Sequence, residues 1–100
     1  MLKYLKKEDK LEEMVKDGNV LVDFYADWCG PCQSLAIELE DIATNNNELS
    51  IIKVNVDEHE EIAMNNRIMT IPAVFLYKDG SLVKKHIGYA DKEEILSWIK

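Results

Sequence analysis

The 100-residue chain has only two cysteines, two prolines and four glycines. Two cysteines are too few for a disulfide-stapled secreted scaffold, which uses several bridges in place of a large core. So little glycine and proline excludes collagen-like and low-complexity chains and leaves no linker-like stretch. No apolar run approaches the roughly 18 residues of a membrane span. Residues 1–20 carry five lysines and five acids and lack the apolar stretch of a secretory signal. Cations are scarce as well, 12 against 19 acids, for a net charge of -7. Eight of the acids and a single lysine fall within residues 38–61, while the rest of the chain balances. This sign excludes ordinary nucleic-acid binding. The acidic block reads as solvated helix and loop surface, with partner steering as the alternative.

The remaining composition, 47% apolar and 31% charged, is that of an ordinary soluble globular protein. One hundred residues without repeats make one domain, 1–100. A cytoplasmic location, no membrane association and a monomer are the default expectations. In a reducing compartment a lone Cys-X-X-Cys is catalytic, redox-sensing or metal-binding, so its chemistry needs examination.

The hydrophobic pattern alternates strands and helices. Residues 2–5 form a weak strand, and residues 8–17 a helix with Leu11, Met14 and Val15 on one face and Gly18 as a stop. Residues 20–25 are apolar except for Asp23, as a central strand covered on both sides should be. Residues 31–44 repeat apolar side chains at helical period until Asn45, Asn46 and Asn47. Residues 49–57 alternate, with Ile52, Val54 and Val56 opposite Ile51, Lys53 and Asn55. Asp57 with Glu60 predicts a capped short helix to about Asn66. An Asp-Gly hairpin joins residues 73–77 to 82–87, and Asp91 with Glu94 caps a final helix. The order βαβαβαββα predicts an α/β fold, a central mixed sheet with helices on both faces.

The chemistry gathers where the strand at residues 20–25 enters the helix beginning near Pro31. Cys29 and Cys32 there have the spacing that brings two sulfurs within bonding reach on a first helical turn. Free amides and the positive helix end favour a thiolate at Cys29, and Pro31 suits a turn whose N–H has no partner. Thiol exchange proceeds by thiolate attack on a disulfide, then resolution by a second thiol. Cys29, nearer the tip, should attack, and Cys32, one turn inside, should resolve. A zinc site is the rival, but it needs two more ligands, and only His59 and His86 remain, 27 and 54 residues beyond Cys32. Both histidines are expected at the surface without a role.

Asp23 is the second signal. A carboxylate among Val20, Leu21, Val22 and Phe24 is costly unless it is paired or works. Burial would raise its pKa toward neutrality, where it could accept the Cys32 proton during resolution, directly or through water. The alternative is an edge-strand acid facing solvent. Lys53 is either an ordinary exposed strand lysine or, if its strand neighbours that of Asp23, an ammonium that moderates the carboxylate. Pro72 can begin a strand but cannot sit inside a central ladder. Trp28 lies in the turn and reads as exposed rim, whereas Trp98 lies on a helical stripe and reads as packing.

At these residues the chain resembles the thioredoxin family. WCGPC at residues 28–32, the preceding LVDFYA, and then IKVNVDE, TIPAVFLYKDG and the IGY at residues 87–89 match its landmarks in order and spacing, over about residues 20–100. The resemblance implies the thioredoxin fold and a protein-disulfide reductase without bound cofactor or metal. Its working group would be the redox-active Cys29–Cys32 disulfide, acting on disulfide-containing proteins and recharged by a thioredoxin reductase. It implies Cys29 as nucleophile, Cys32 as resolving thiol, Asp23 as buried acid/base, Lys53 as its partner and a cis bond before Pro72. Trp28, Gly30, Pro31, Ile71, Pro72 and Gly88 would form the substrate-docking patch. Three positions depart from the family pattern: Ile37 replaces a helix-kinking proline, Tyr25 a frequent tryptophan and Thr70 a common glycine. An oxidase or isomerase using the same site, and a redox-independent binding subunit, are the rival functions.

Overall fold

The computed structural model describes residues 1–46 and 48–99. Nine elements follow in order: β1 (Leu2–Tyr4), α1 (Leu11–Met14), β2 (Asn19–Tyr25), α2 (Gly30–Asn45), β3 (Leu49–Asn55), α3 (Glu60–Asn65), β4 (Ala73–Lys78), β5 (Ser81–Ile87) and α4 (Lys92–Ile99). The strands form one sheet in the order β1-β3-β2-β4-β5. β3 runs parallel to both β1 and β2, while β4 is antiparallel to β2 and β5. The expected mixed α/β sheet is therefore the observed one.

Alternation along the strands divides the core into two layers. Val20, Val22 and Phe24 point to one face, with Ile52, Val54 and Phe75, and are covered by Leu11, Val15 and Ile62 from the α1 and α3 segments. Leu21, Ile51, Val74 and Leu76 point to the other, against Leu35, Leu39 and Ile42 of α2 and Ile95 of α4. Asp23 and Tyr25 share the parity of Leu21, so their side chains lie on the α2 face.

Two elements differ from their sequence signals. The first helix is only Leu11–Met14, ending at Val15, and ahead of it the Asp9 carboxylate closes a turn by accepting from the Lys6 amide at 2.9 Å. Asp57 does not cap α3. Asn55 Oδ1 accepts from the Asp57 amide at 2.9 Å and the Glu58 amide at 3.3 Å, and the helix starts only at Glu60. The other cap is present, with Asp91 Oδ1 accepting from the Glu94 amide at 2.9 Å. At the hairpin, Asp79 (φ 48) and Gly80 (φ 87) take the two positive φ values that a type I′ turn requires. α2 runs through Ile37, which is exposed there, and its last described flank is Asn46, the expected stop at Asn47 lying outside the described residues.

Candidate active site

β2 ends in the middle of the sheet, and residues 26–29 turn the chain directly into α2. Cys29 is the residue before the helix, with extended backbone (φ -92, ψ 113), and its Sγ accepts from the Cys32 amide at 3.2 Å. Its own amide donates to the Ala26 carbonyl at 3.3 Å, and Pro31 occupies the first turn. Cys29 and Cys32 are joined as a disulfide with their Cα atoms 5.2 Å apart. Cys29 is 6% exposed and Cys32 2%, packed with Ala26, Tyr25, Val56 and Ile71. The same amide and helix end that hold the Cys29 sulfur would stabilise a thiolate on it after reduction.

The flanking residues arrive from four places in the chain. Trp28 is 72% exposed, held by its indole Nε1, which donates to Asp57 Oδ2 at 2.9 Å. The sequence marks Asp57 as a helix cap; the parallel pairing of β2 with β3, which the sequence leaves open, is what brings it to the indole. Ile71 packs beside the dithiol, and the Ile71–Pro72 bond is cis. The Gly88 amide donates to the Pro72 carbonyl at 2.7 Å, and Gly88 has φ +97 with open space where a Cβ would stand. Its backbone conformation, rather than crowding, is what calls for glycine. A Cβ at Gly30 would likewise meet nothing within 4 Å.

Beneath this surface, Asp23 and Lys53 are direct partners in the parallel β2·β3 ladder. Lys53 Nζ lies 2.9 Å from Asp23 Oδ2, and their side chains are 4% and 0% exposed. Neither carboxylate oxygen receives a hydrogen bond of good geometry, so the contact is chiefly Coulombic. Burial pushes the Asp23 carboxyl above the usual carboxylate range, and the Lys53 charge only partly offsets it. A cavity of about 300 Å³, open to solvent, lies beside Lys53, lined also by Cys32, Tyr4, Tyr25 and Gln33 among others. Asp23 is thus neither at an edge nor solvated, and Lys53 is not an exposed strand lysine.

The histidines are half-buried rather than free at the surface. His59 Nε2 lies 3.0 Å from the Leu5 carbonyl, while His86 Nε2 is 3.2 Å from the Tyr89 carbonyl and its ring meets that of Trp98 at a tilt, with centroids 4.9 Å apart. Each ring nitrogen facing a carbonyl must donate, which makes both contacts structural. Among the described residues no group of three or more His, Cys, Asp or Glu side chains could hold a metal ion. No helix among them is long and apolar enough to cross a membrane.

Known proteins share this fold. The thioredoxin family profile matches residues 2–100, extending the likeness through the first strand, where the sequence agreed only in pattern. Thioredoxin of Mycoplasmoides gallisepticum is 34% identical over 100 residues, covering 99% of this chain and 100% of that protein. Thioredoxin of Listeria monocytogenes is 44% identical over 85 residues, 84% of this chain and 82% of that protein. The solution structure of oxidised thioredoxin from Plasmodium falciparum superposes with a TM-score of 0.86 at 30% identity over the whole of both chains. Likeness of this extent, in sequence and in fold around a closed Cys-Gly-Pro-Cys pair, makes the chain a thiol–disulfide oxidoreductase and a member of the thioredoxin family.

Proposed function

We propose that the protein is a general protein-disulfide reductase, one domain over residues 1–100, acting in the cytoplasm as a monomer. The observation that carries the reading is the inequality of the two sulfurs. Cys29 Sγ sits at the helix start and accepts the Cys32 amide, while Cys32 is the more buried. The Cys29 thiolate attacks a substrate disulfide, forming one S–S bond and expelling one substrate thiolate. Cys32 then gives its proton to the Asp23 carboxylate and attacks the Cys29 sulfur of the mixed disulfide. The second substrate sulfur leaves and is protonated by solvent. The substrate gains two electrons, and the Cys29–Cys32 disulfide remains to be reduced by a thioredoxin reductase, so the chain serves as an electron carrier.

Trp28, Gly30, Pro31, Ile71, Pro72 and Gly88 form the docking patch in this reading. Lys53 keeps enough of Asp23 ionised for it to act as a base. No bound cofactor or metal enters any step. The test is thiol-dependent reduction of insulin. Cys29→Ser is expected to abolish it, and Cys32→Ser to accumulate mixed disulfides; activity unchanged in both would refute the assignment. A reduction potential well above the cytosolic poise would instead identify an oxidase or isomerase.

A further inference from the structure

Lys53 is buried, yet it is not immobilised by packing alone. The cavity of about 300 Å³ beside it has room for several waters, each needing about 30 Å³. A flexible ammonium stem next to such a space can leave its carboxylate and solvate itself there. Three side chains surround the ammonium. Tyr4 and Asp23 are the ladder partners of Lys53 on its two sides, in β1 and β2. Tyr25, two residues beyond Asp23, places its ring centroid 4.5 Å from Lys53 Nζ. The ring of Tyr4 meets that of Tyr25 edge-on, with centroids 6.4 Å apart.

We propose that Tyr25 is a positioning residue for the thiol–disulfide reaction: its ring face, buttressed by Tyr4, holds the Lys53 ammonium beside the Asp23 carboxylate and out of the cavity. The attraction is that of a cation for a ring quadrupole, strengthened where water is partly excluded. Its consequence falls on the proton step, and it rests on the reading of Asp23 as the base for Cys32. If Lys53 swings away, Asp23 loses its opposite charge and holds a proton more tightly. A protonated Asp23 cannot take the proton of Cys32, so resolution slows near neutrality and recovers as the pH rises. The other titratable groups around the Tyr25 ring are Asp27, Tyr4 and Glu58, and burial, followed by Asp27 and Tyr4, raises the Tyr25 phenol itself. The ring therefore stays neutral over the working range and acts by its face, not by ionising.

The test is the biphasic release of thionitrobenzoate when reduced protein meets dithiobis-nitrobenzoate, the second phase reporting attack by Cys32. Tyr25→Leu is expected to slow that phase about fivefold at pH 7 and to move its pH profile upward. Tyr25→Phe, which keeps the ring, restores the native profile. Tyr4→Leu, at a half-exposed position that tolerates change, moves the profile the same way by less. The Asp23 carboxyl carbon, followed by NMR against pH, gives the same ordering without turnover. An unchanged profile in Tyr25→Leu and Tyr4→Leu, an equal loss at every pH, or Tyr25→Phe as impaired as Tyr25→Leu overturns the proposal. Asp23→Asn separates the two levels. Native-rate resolution in that variant removes Asp23 as the base, whereas slow resolution there with normal Tyr25→Leu removes only the role of Tyr25.

Discussion

The two lysine–carboxylate pairs among the described residues have the same length in different surroundings. Lys53–Asp23 and Lys92–Asp41 both close at 2.9 Å, the first with side chains 4% and 0% exposed, the second with 44% and 46%. At the surface, the hydrogen bond and charge of Lys92 hold the Asp41 carboxyl below its ordinary value. Inside the sheet, burial outweighs a lysine at the same distance and Asp23 moves the other way. Removing water strengthens the attraction but costs each ion more than the attraction returns unless further hydrogen bonds are made. Asp23 has none. The outer pair ties α4 to α2 in a fold that needs little from it. The inner pair is an electrostatic cost retained beside a redox centre.

The sharpest break of this comparison is Lys53→Met. It leaves a buried carboxylate with no cation and is expected to cost roughly 3–5 kcal/mol at neutral pH, read by urea unfolding. The loss should shrink as pH falls toward about 3.9, the ordinary aspartate value, because Asp23 then folds protonated. Asp23→Asn comes next and has the opposite sign. The sequence predicts a gain from removing an uncompensated acid. The structure supplies a partner, but neither carboxylate oxygen gains a hydrogen bond to offset its burial. A gain of about 1 kcal/mol is expected at neutral pH, fading below about pH 4. Folded Asp23 binds its proton more tightly than unfolded Asp23, so this site lowers native stability as pH rises through that window. A loss of stability in Asp23→Asn would show the pair to be net stabilising and end the contrast.

Asp41→Asn is the smallest effect. Because the folded Asp41 pKa is depressed, its contribution is present above the unfolded pKa and lost as pH falls through the folded one. The change in urea midpoint is expected to lie near measurement error at moderate ionic strength and to vanish in 1 M salt. A salt-resistant shift would mean that the surface pair behaves like the buried one.

Much of this was legible in the chain itself. The alternation of residues 49–57 marked a strand, the continuous apolar run around Asp23 marked β2 as central, and Asp79-Gly80 marked the hairpin. Asp57 was misread: it carried a helix-cap signal, yet its carboxylate holds an indole 29 residues away in sequence. A side chain with one acceptor group satisfies whichever donor the fold brings nearest, and that donor can be remote. His59 and His86 were underread for the same reason, since the carbonyls they meet, those of Leu5 and Tyr89, are brought to them by the fold and not by local periodicity.

By itself the sequence determined the order of elements, the dithiol at the start of a helix and an acid where an apolar side chain belonged. Those follow from periodicity, turn chemistry and spacing, which act over a few residues. Only the tertiary structure decided that Lys53 stands opposite Asp23, that the Tyr25 ring stands over Lys53 with Tyr4 edge-on against it, and that a cavity lies beside it. Ladder register and the space left between packed elements set those relations. Whether a carboxylate at 2.9 Å from a lysine is held ionised or pushed toward its acid form depends on the water around it, which no residue specifies alone.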